Sequence, residues 1–132
     1  MATTLKDLME AGRTAAPSIT PAEAKVLLAA GTAIAVDVRD DSEVAASGKV
    51  TGALCTPRGH LEAKIDSASP GFVAGLDPKK TILVYCRSGG RATLAAKTFK
   101  DMGYPDVRIL GGFDDWVAAG GAVEGMGGTG DA

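Results

Sequence analysis

The segment from Cys86 to Arg91, CRSGGR, combines the residue types that a reactive thiol needs. An apolar run ends at Cys86, and a segment with helical spacing follows it. Glycines permit the backbone dihedrals that turn successive N–H groups inward toward a sulfur atom. The positive end of the following helix and the charges of Arg87 and Arg91 also favour a thiolate over a thiol. The pattern predicts that Cys86 is a nucleophile that needs no general base.

The two cysteines of the chain have different sequence surroundings. Buried, unreactive cysteines are common in proteins, and small or apolar residues surround Cys55 in the segment GALCTP. Cys86 is followed by two arginines and a Gly-Gly turn into a helix, which a core cysteine does not require. We therefore predict that Cys86 is catalytic and that Cys55 is inert.

The rest of the loop is predicted to bind an anionic substrate through Arg87, Ser88, Gly89, Gly90 and Arg91. Either arginine could be an ordinary surface charge. Arg91 is the stronger functional candidate, because a cation in the first turn of a helix is unfavourable unless an anion lies beside it. The only histidine, His60, lies at the predicted start of a helix, which favours a capping or surface role over that of a general base.

Strand-like and helix-like segments alternate along the chain. The clearest strand is KTILVYC (80–86) and the clearest helix is GRATLAAKTFKDMG (90–103). A second helix is predicted after Thr20, because Thr20, Pro21 and Glu23 form a capping-box pattern and Gly31 can end the helix. The alternation predicts an α/β fold with a central parallel sheet and helices on both faces. Ligands of such sheets bind at the carboxyl ends of the strands, where CRSGGR falls.

Composition excludes several classes of protein. The formal net charge is −2 and no long run of one sign occurs, so neither nucleic acid nor a membrane surface is an expected partner. One histidine and two cysteines are too few for a dedicated zinc site, and the sequence implies no cofactor. The N-terminal segment lacks the layout of a signal peptide, so we expect a cytoplasmic protein with free thiols. Nothing indicates more than a monomer.

Four segments together resemble the rhodanese homology domain in order and spacing: VDVRD (36–40), GKVTGALCTPRGHLE (48–62), ILVYCRSGGRATLAAKTFKDMGY (82–104) and ILGGFDDW (109–116). The resemblance covers about residues 17–124. We therefore expect an N-terminal extension or short helix at 1–16, one rhodanese-like domain at 17–124, and a flexible glycine-rich tail at 125–132.

The resemblance implies a parallel sheet of about five strands and the chemistry of a thiosulfate-type sulfurtransferase. Cys86 would then form a persulfide, taking sulfur from a small anionic donor such as thiosulfate or from a persulfide. The acceptor would be cyanide in an assay, or a thiol or protein in a cell. Arg91→Ala is expected to weaken thiosulfate use more than Arg87→Ala.

Other positions of the resemblance carry different expectations. Asp37 and Arg39 match strand-end residues that more often serve structure than chemistry, and Trp116 is expected to pack near the site. Lys49 stands where relatives often have histidine, so any role of that histidine is not carried over.

Two alternatives to an enzyme of this class remain open. A sulfur carrier or interaction module without turnover would need the same loop to hold a persulfide for a partner. A cysteine-dependent phosphatase or arsenate reductase is less favoured, because such loops place five residues between cysteine and arginine, whereas Cys86 and Arg91 enclose four.

Overall fold

Helices and strands alternate along the chain in a computed structural model that describes residues 2–125. The helices are α1 (Leu5–Ala15), α2 (Pro21–Ala29), α3 (Asp41–Ser47), α4 (Leu61–Ile65), α5 (Gly90–Asp101) and α6 (Phe113–Ala118), with a 3₁₀ turn at Arg58–His60. The strands are β1 (Ala33–Asp37), β2 (Lys49–Val50), β3 (Leu54–Cys55), β4 (Thr81–Cys86), β5 (Val107–Gly112) and β6 (Val123–Glu124).

The central sheet has four parallel strands in the order β3–β1–β4–β5. The expected α/β class is confirmed, but the sheet has four strands rather than about five. A single parallel bridge between Ser18 and Ile109 extends the β5 edge, and one residue pair is too short to form a strand. Parallel pairing aligns the carboxyl ends of β1, β3 and β4 at one edge, with Asp37 beside both Cys55 and Tyr85.

Two apolar layers cover the two faces of the sheet, as predicted from the uninterrupted apolar strands. One layer packs α4 and α5 against the sheet through Leu61, Ile65 and Phe99, all at most 1% exposed. The other packs α2 and α6 against it and contains Leu83, Tyr85, Phe113 and Trp116. Burying each such side chain contributes about 1.5–3 kcal/mol to the free energy of folding. Both layers therefore stabilise the sheet whose strand ends carry the predicted site.

Local signals in the sequence define two helix starts. The predicted capping box of α2 is present: the Glu23 N–H donates to Thr20 Oγ1 at 3.1 Å, and the Thr20 N–H donates to Glu23 Oε1 at 2.9 Å. The same box occurs at α1 between Thr4 and Asp7. Each cap satisfies N–H groups that the first turn leaves unpaired.

The first helix packs against α5. Gly12 lies directly on the backbone of Thr93, where a Cβ atom at residue 12 would collide with the Thr93 carbonyl oxygen. The boundary predicted at residue 16 stays a prediction, although the segment before it has a defined helix. The predicted tail at 125–132 lies outside the described residues except for Gly125.

A short antiparallel pair, β2 with β6, was not predicted. Each strand has only two residues, which is too few for a recognisable periodicity. Between residues 2 and 125, no helix is both long and apolar enough to cross a membrane.

Candidate active site

The thiol of Cys86 lies at the carboxyl end of the central strand β4, and the residue is only 1% exposed. Two backbone N–H groups donate to its Sγ atom, that of Gly89 at 3.0 Å and that of Ala92 at 3.4 Å. Gly89 has φ +115°, a region that favours glycine, and α5 starts at the next residue. The loop therefore directs backbone dipoles and a helix start at one sulfur atom, which suits an anionic sulfur.

The end of β5 forms one wall of this loop. Gly112 pairs with Cys86, and a Cβ atom at residue 112 would lie 2.5 Å from the Arg87 carbonyl oxygen and 3.2 Å from Ser88 Cα. Gly111, with φ +90°, lies where the β4–β5 register shifts. Gly112 was not predicted to lie at the site, although two glycines just before a helix are a usable signal for close backbone approach.

The anion beside Arg91 in this structure is a side chain of the protein. Arg91 Nη1 and Nη2 donate to the two carboxylate oxygens of Glu43, at 2.6 and 2.9 Å. These hydrogen bonds lower the pKa of Glu43 to about 2 and raise the pKa of Arg91. Arg91 thus pairs with Glu43 of α3 in this structure, and its predicted contact with an anionic substrate stays a prediction.

The other loop residues face solvent. Arg87 is 71% exposed, and its Nε atom lies 3.5 Å from a carboxylate oxygen of Asp114, which is 68% exposed. Ser88 and Gly90 are exposed, and open space surrounds Gly90. Beside the loop lies a cavity of about 250 Å³, here called the loop cavity, lined by Arg39, Glu43, Ala46, Ser47, Arg87 and Asp114.

A buried ion pair at the end of β1 anchors α3. Arg39 Nε and Nη2 donate to the Asp37 carboxylate at 3.0 and 2.7 Å, and both residues are at most 2% exposed. Arg39 also donates to Ser47 Oγ at 2.8 Å and to the Gly48 carbonyl at 2.6 Å, which holds the C-terminal end of α3. Burial alone would lower the pKa of Arg39, but the hydrogen bonds and charge of Asp37 outweigh it and raise the pKa. This geometry agrees with the structural role expected for the pair.

Comparison with known proteins adds the decisive observation: residues 20–119 match the Rhodanese-like domain family. The chain belongs to that family. A human thiosulfate:glutathione sulfurtransferase is 30% identical over 109 residues, which cover 77% of this chain and 94% of the human protein.

Solved structures agree with this assignment. A Rhodopseudomonas palustris protein of unknown function, RPA3614, described as a possible tyrosine phosphatase, has a TM-score of 0.83 and 35% identity, covering 94% of this chain and 96% of its own. A homodimeric polysulfide-sulfur transferase from Wolinella succinogenes has a TM-score of 0.72 and 29% identity, covering 92% and 88%. Relatives that are sulfurtransferases support sulfur transfer as the general chemistry of this rhodanese-like chain.

The remaining predicted residues of the rhodanese-like domain make no hydrogen bond to the Cys86 sulfur, whose donors are the N–H groups of Gly89 and Ala92. His60 is exposed and its side chain makes no capping hydrogen bond, so it is a surface residue. Lys49 donates to the Ala53 carbonyl at 2.7 Å and pairs with Glu124. Trp116 is 3% exposed and donates to the Ala122 carbonyl at 2.9 Å, so it is a packing residue as expected, but it does not line the loop cavity.

Cys55 lies on the edge strand β3, opposite Asp37, whereas Cys86 is one residue beyond the partner of Asp37 on β4. The alternation of side chains along strands therefore places the two thiols on opposite faces of the sheet. Burial raises the pKa of the Cys55 thiol, which agrees with the prediction that it is unreactive. Among residues 2–125, no cluster of three or more His, Cys, Asp or Glu side chains could hold a metal.

Proposed function

We propose that this protein is a sulfurtransferase that carries a sulfane sulfur on Cys86. The donor is a small anion such as thiosulfate, or a persulfide, and the acceptor is cyanide in an assay or a thiol in a cell. One observation carries the proposal: the N–H groups of Gly89 and Ala92 point at the Cys86 sulfur at the start of α5. Such donors stabilise the thiolate and any anionic sulfur attached to it.

In the first half-reaction, the Cys86 thiolate attacks the outer sulfur of thiosulfate. A bond forms between Sγ and that sulfur, the bond between the two sulfur atoms of thiosulfate breaks, and sulfite leaves with the bonding electron pair. A persulfide with one negative charge remains on the protein. Charge is balanced, because the attacking thiolate carried one negative charge and both thiosulfate and sulfite carry two.

In the second half-reaction, an acceptor thiolate attacks the outer sulfur of the Cys86 persulfide. The bond to Sγ breaks, the Cys86 thiolate returns, and the acceptor leaves as a persulfide. The same N–H groups face Sγ in both half-reactions, so one arrangement serves the resting and loaded protein. Neither step requires a general base from the chain, which is consistent with the exposed position of His60.

The human relative is named for thiosulfate and glutathione, and this chain covers 94% of its length. That name supports thiosulfate as a donor and a thiol as an acceptor for the present chain. The four residues between Cys86 and Arg91 support sulfur over a phosphoryl group, because a short loop encloses a smaller ligand.

Intact-protein mass spectrometry after brief incubation with thiosulfate tests the proposal directly. We expect a gain of one sulfur atom in the wild type and in Cys55→Ser, and no gain in Cys86→Ser. The absence of that gain in all three proteins, with either thiosulfate or a persulfide donor, would falsify the proposed function.

Two further measurements separate the alternatives. The Rhodopseudomonas palustris neighbour is described as a possible tyrosine phosphatase, so hydrolysis of p-nitrophenyl phosphate is measured in parallel, and we expect none that depends on Cys86. Rapid loading with slow turnover toward cyanide and low-molecular-weight thiols would instead indicate a sulfur carrier that serves a protein partner.

We also propose that the protein works as a cytoplasmic monomer. Both cysteines are free, as expected in a reducing compartment. Because the Wolinella succinogenes relative is a homodimer, light scattering is the useful check, and a mass of one chain is the expected result.

A further inference from the structure

The loop cavity has charged walls, but only two of its charges are available to a ligand. Arg39 forms a buried ion pair with Asp37, and Glu43 accepts two short hydrogen bonds from Arg91. Arg87 and Asp114 remain: they are 71% and 68% exposed, with Nε and Oδ2 3.5 Å apart. The open part of the cavity therefore presents one cation and one anion side by side, and the cation, Arg87, follows Cys86 directly in the sequence.

An exposed ion pair of this kind is easily replaced by a ligand. Such pairs are worth about 0–1 kcal/mol, so a molecule that brings a carboxylate to Arg87 and an ammonium to Asp114 loses little by separating them. The cavity holds about 250 Å³, below the roughly 300–1,000 Å³ of sites for drug-sized ligands. Its size and charges suit a molecule about as large as one amino acid.

We infer that the loop cavity binds the sulfur acceptor, and that this acceptor is a thiol carrying both a carboxylate and an ammonium group. Arg87 binds the carboxylate, and Asp114 binds the ammonium. This inference rests on the proposed sulfurtransferase function. The bound thiol loses its proton to solvent, its sulfur bonds to the outer sulfur of the Cys86 persulfide, and the Cys86 thiolate leaves.

Asp114 should then have opposite effects on the rates of the two half-reactions, slowing loading and favouring transfer. Thiosulfate carries two negative charges and no positive one, so the Asp114 carboxylate repels it from Arg87 during loading. During transfer, the same carboxylate attracts an acceptor that carries an ammonium group. A residue with only a structural role would change both half-reactions in the same direction.

The test measures the two half-reactions separately in single-turnover experiments. Loading by thiosulfate is followed by intact mass, and transfer is followed from loaded protein to cysteine, cysteamine, 3-mercaptopropionate and 2-mercaptoethanol. These thiols carry both charges, the ammonium only, the carboxylate only, and neither. For each thiol the rate of a variant is divided by the wild-type rate, so differences in intrinsic thiol reactivity cancel.

Asp114→Asn is expected to speed loading about two- to fivefold and to slow transfer to cysteine and cysteamine by a similar factor. Transfer to 2-mercaptoethanol should stay unchanged. Arg87→Gln should slow loading, and should slow transfer to cysteine and 3-mercaptopropionate but not to cysteamine. Raising the salt concentration should reduce all of these effects, because the groups are exposed.

Asp115→Asn is the matched control, since Asp115 is the next residue of α6, is also exposed and does not line the cavity. The inference is overturned if Asp114→Asn changes both half-reactions in the same direction or changes neither. Equal changes for all four thiols, or the same pattern in Asp115→Asn, would also overturn it. Failure of the proposed function is distinguishable, because the wild type would then gain no sulfur in the loading stage.

Discussion

Arg87 and Arg91 belong to the same six-residue loop, yet each has a different kind of carboxylate partner. Arg91 meets Glu43 with two hydrogen bonds of 2.6 and 2.9 Å, and both side chains are about one-third exposed. Arg87 meets Asp114 at a single distance of 3.5 Å, and both side chains are mostly in solvent. The first arrangement fixes the position of the loop, and the second leaves a cation that a ligand can bind.

The difference arises from where each partner is anchored. Glu43 belongs to α3, whose C-terminal end is held by Arg39 and, through it, by Asp37 of the central sheet. A series of ion pairs and hydrogen bonds therefore runs from the sheet through α3 to the cysteine loop. Asp114 lies on α6, which is anchored by the buried Phe113 and Trp116, but within residues 2–125 the Asp114 carboxylate itself pairs only with Arg87. The two arginines therefore differ in burial and in the number of hydrogen bonds, and not in the type of charge that each one meets.

Breaking the most buried pair in this series of contacts, Asp37 with Arg39, should have the largest effect on stability. Arg39→Met leaves Asp37 buried without its partner, and breaking such a pair costs about 3–5 kcal/mol of unfolding free energy. Urea unfolding measures the loss. A loss below about 1 kcal/mol would mean that the pair does not anchor α3. The double variant Asp37→Leu with Arg39→Met should recover part of the stability, since it leaves no unpaired charge.

Glu43→Gln and Arg91→Gln test the ion pair between Glu43 of α3 and Arg91 of the loop. If Arg91 acts through Glu43, each variant should lose about 1–2 kcal/mol of unfolding free energy. Both variants should also slow thiosulfate loading by the same factor, about tenfold. The two effects should be non-additive in the double variant, because one interaction is lost in each case.

A direct role of Arg91 in donor binding makes a different prediction. Glu43→Gln would then release a cation and increase the affinity for thiosulfate, whereas Arg91→Gln alone would decrease it. Loading rates measured against thiosulfate concentration separate the two cases. Opposite signs for these two variants would show that Arg91 binds the donor directly and does not act through Glu43.

Acid should weaken the same Glu43–Arg91 ion pair. The folded-state pKa of Glu43 is about 2, against an ordinary value of 4.5, so its stabilising effect is complete above about pH 5. That contribution, about 1–2 kcal/mol after screening, is lost as the pH falls from about 5 toward 2. Urea unfolding at several pH values should show the difference between wild type and Glu43→Gln shrinking over that range. A difference that stays constant down to pH 2.5 would contradict the assignment.

Arg87→Gln should have the smallest effect on stability, within about 0.5 kcal/mol, because the side chain is exposed and its ion pair is long. The variant should instead raise the KM for thiosulfate about two- to fivefold. The maximal rate of the loading half-reaction should change little. Lys97→Gln, which removes a cation from the exposed Lys97–Asp101 pair on α5, is the control and should leave KM unchanged. A large loss of stability in Arg87→Gln would remove the distinction between the two arginines.

Local signals in the sequence were sufficient for the α/β class, for the start of α2 and for the position of the cysteine loop. Thr20, Pro21 and Glu23 lie within four residues, and the rules that link them to a helix start are short-range. The apolar strand that ends at Cys86 and the glycines after it are also contiguous. The resemblance to the rhodanese homology domain extended this local pattern to a family, and the match over residues 20–119 confirms it.

Only the tertiary structure decided which charges meet. Glu43 and Arg91 are 48 positions apart, Arg87 and Asp114 lie on different elements, and Gly112 touches the loop from another strand. The pair of β2 and β6 was not predicted for the same reason, since two-residue strands far apart in the chain carry no periodic pattern. The spacing of residues in a sequence indicates the structure of one helix or strand at a time, and not the contacts between elements. The partner of a side chain depends on how elements pack, and that packing pairs Arg91 with Glu43 and leaves Arg87 mostly exposed beside Asp114.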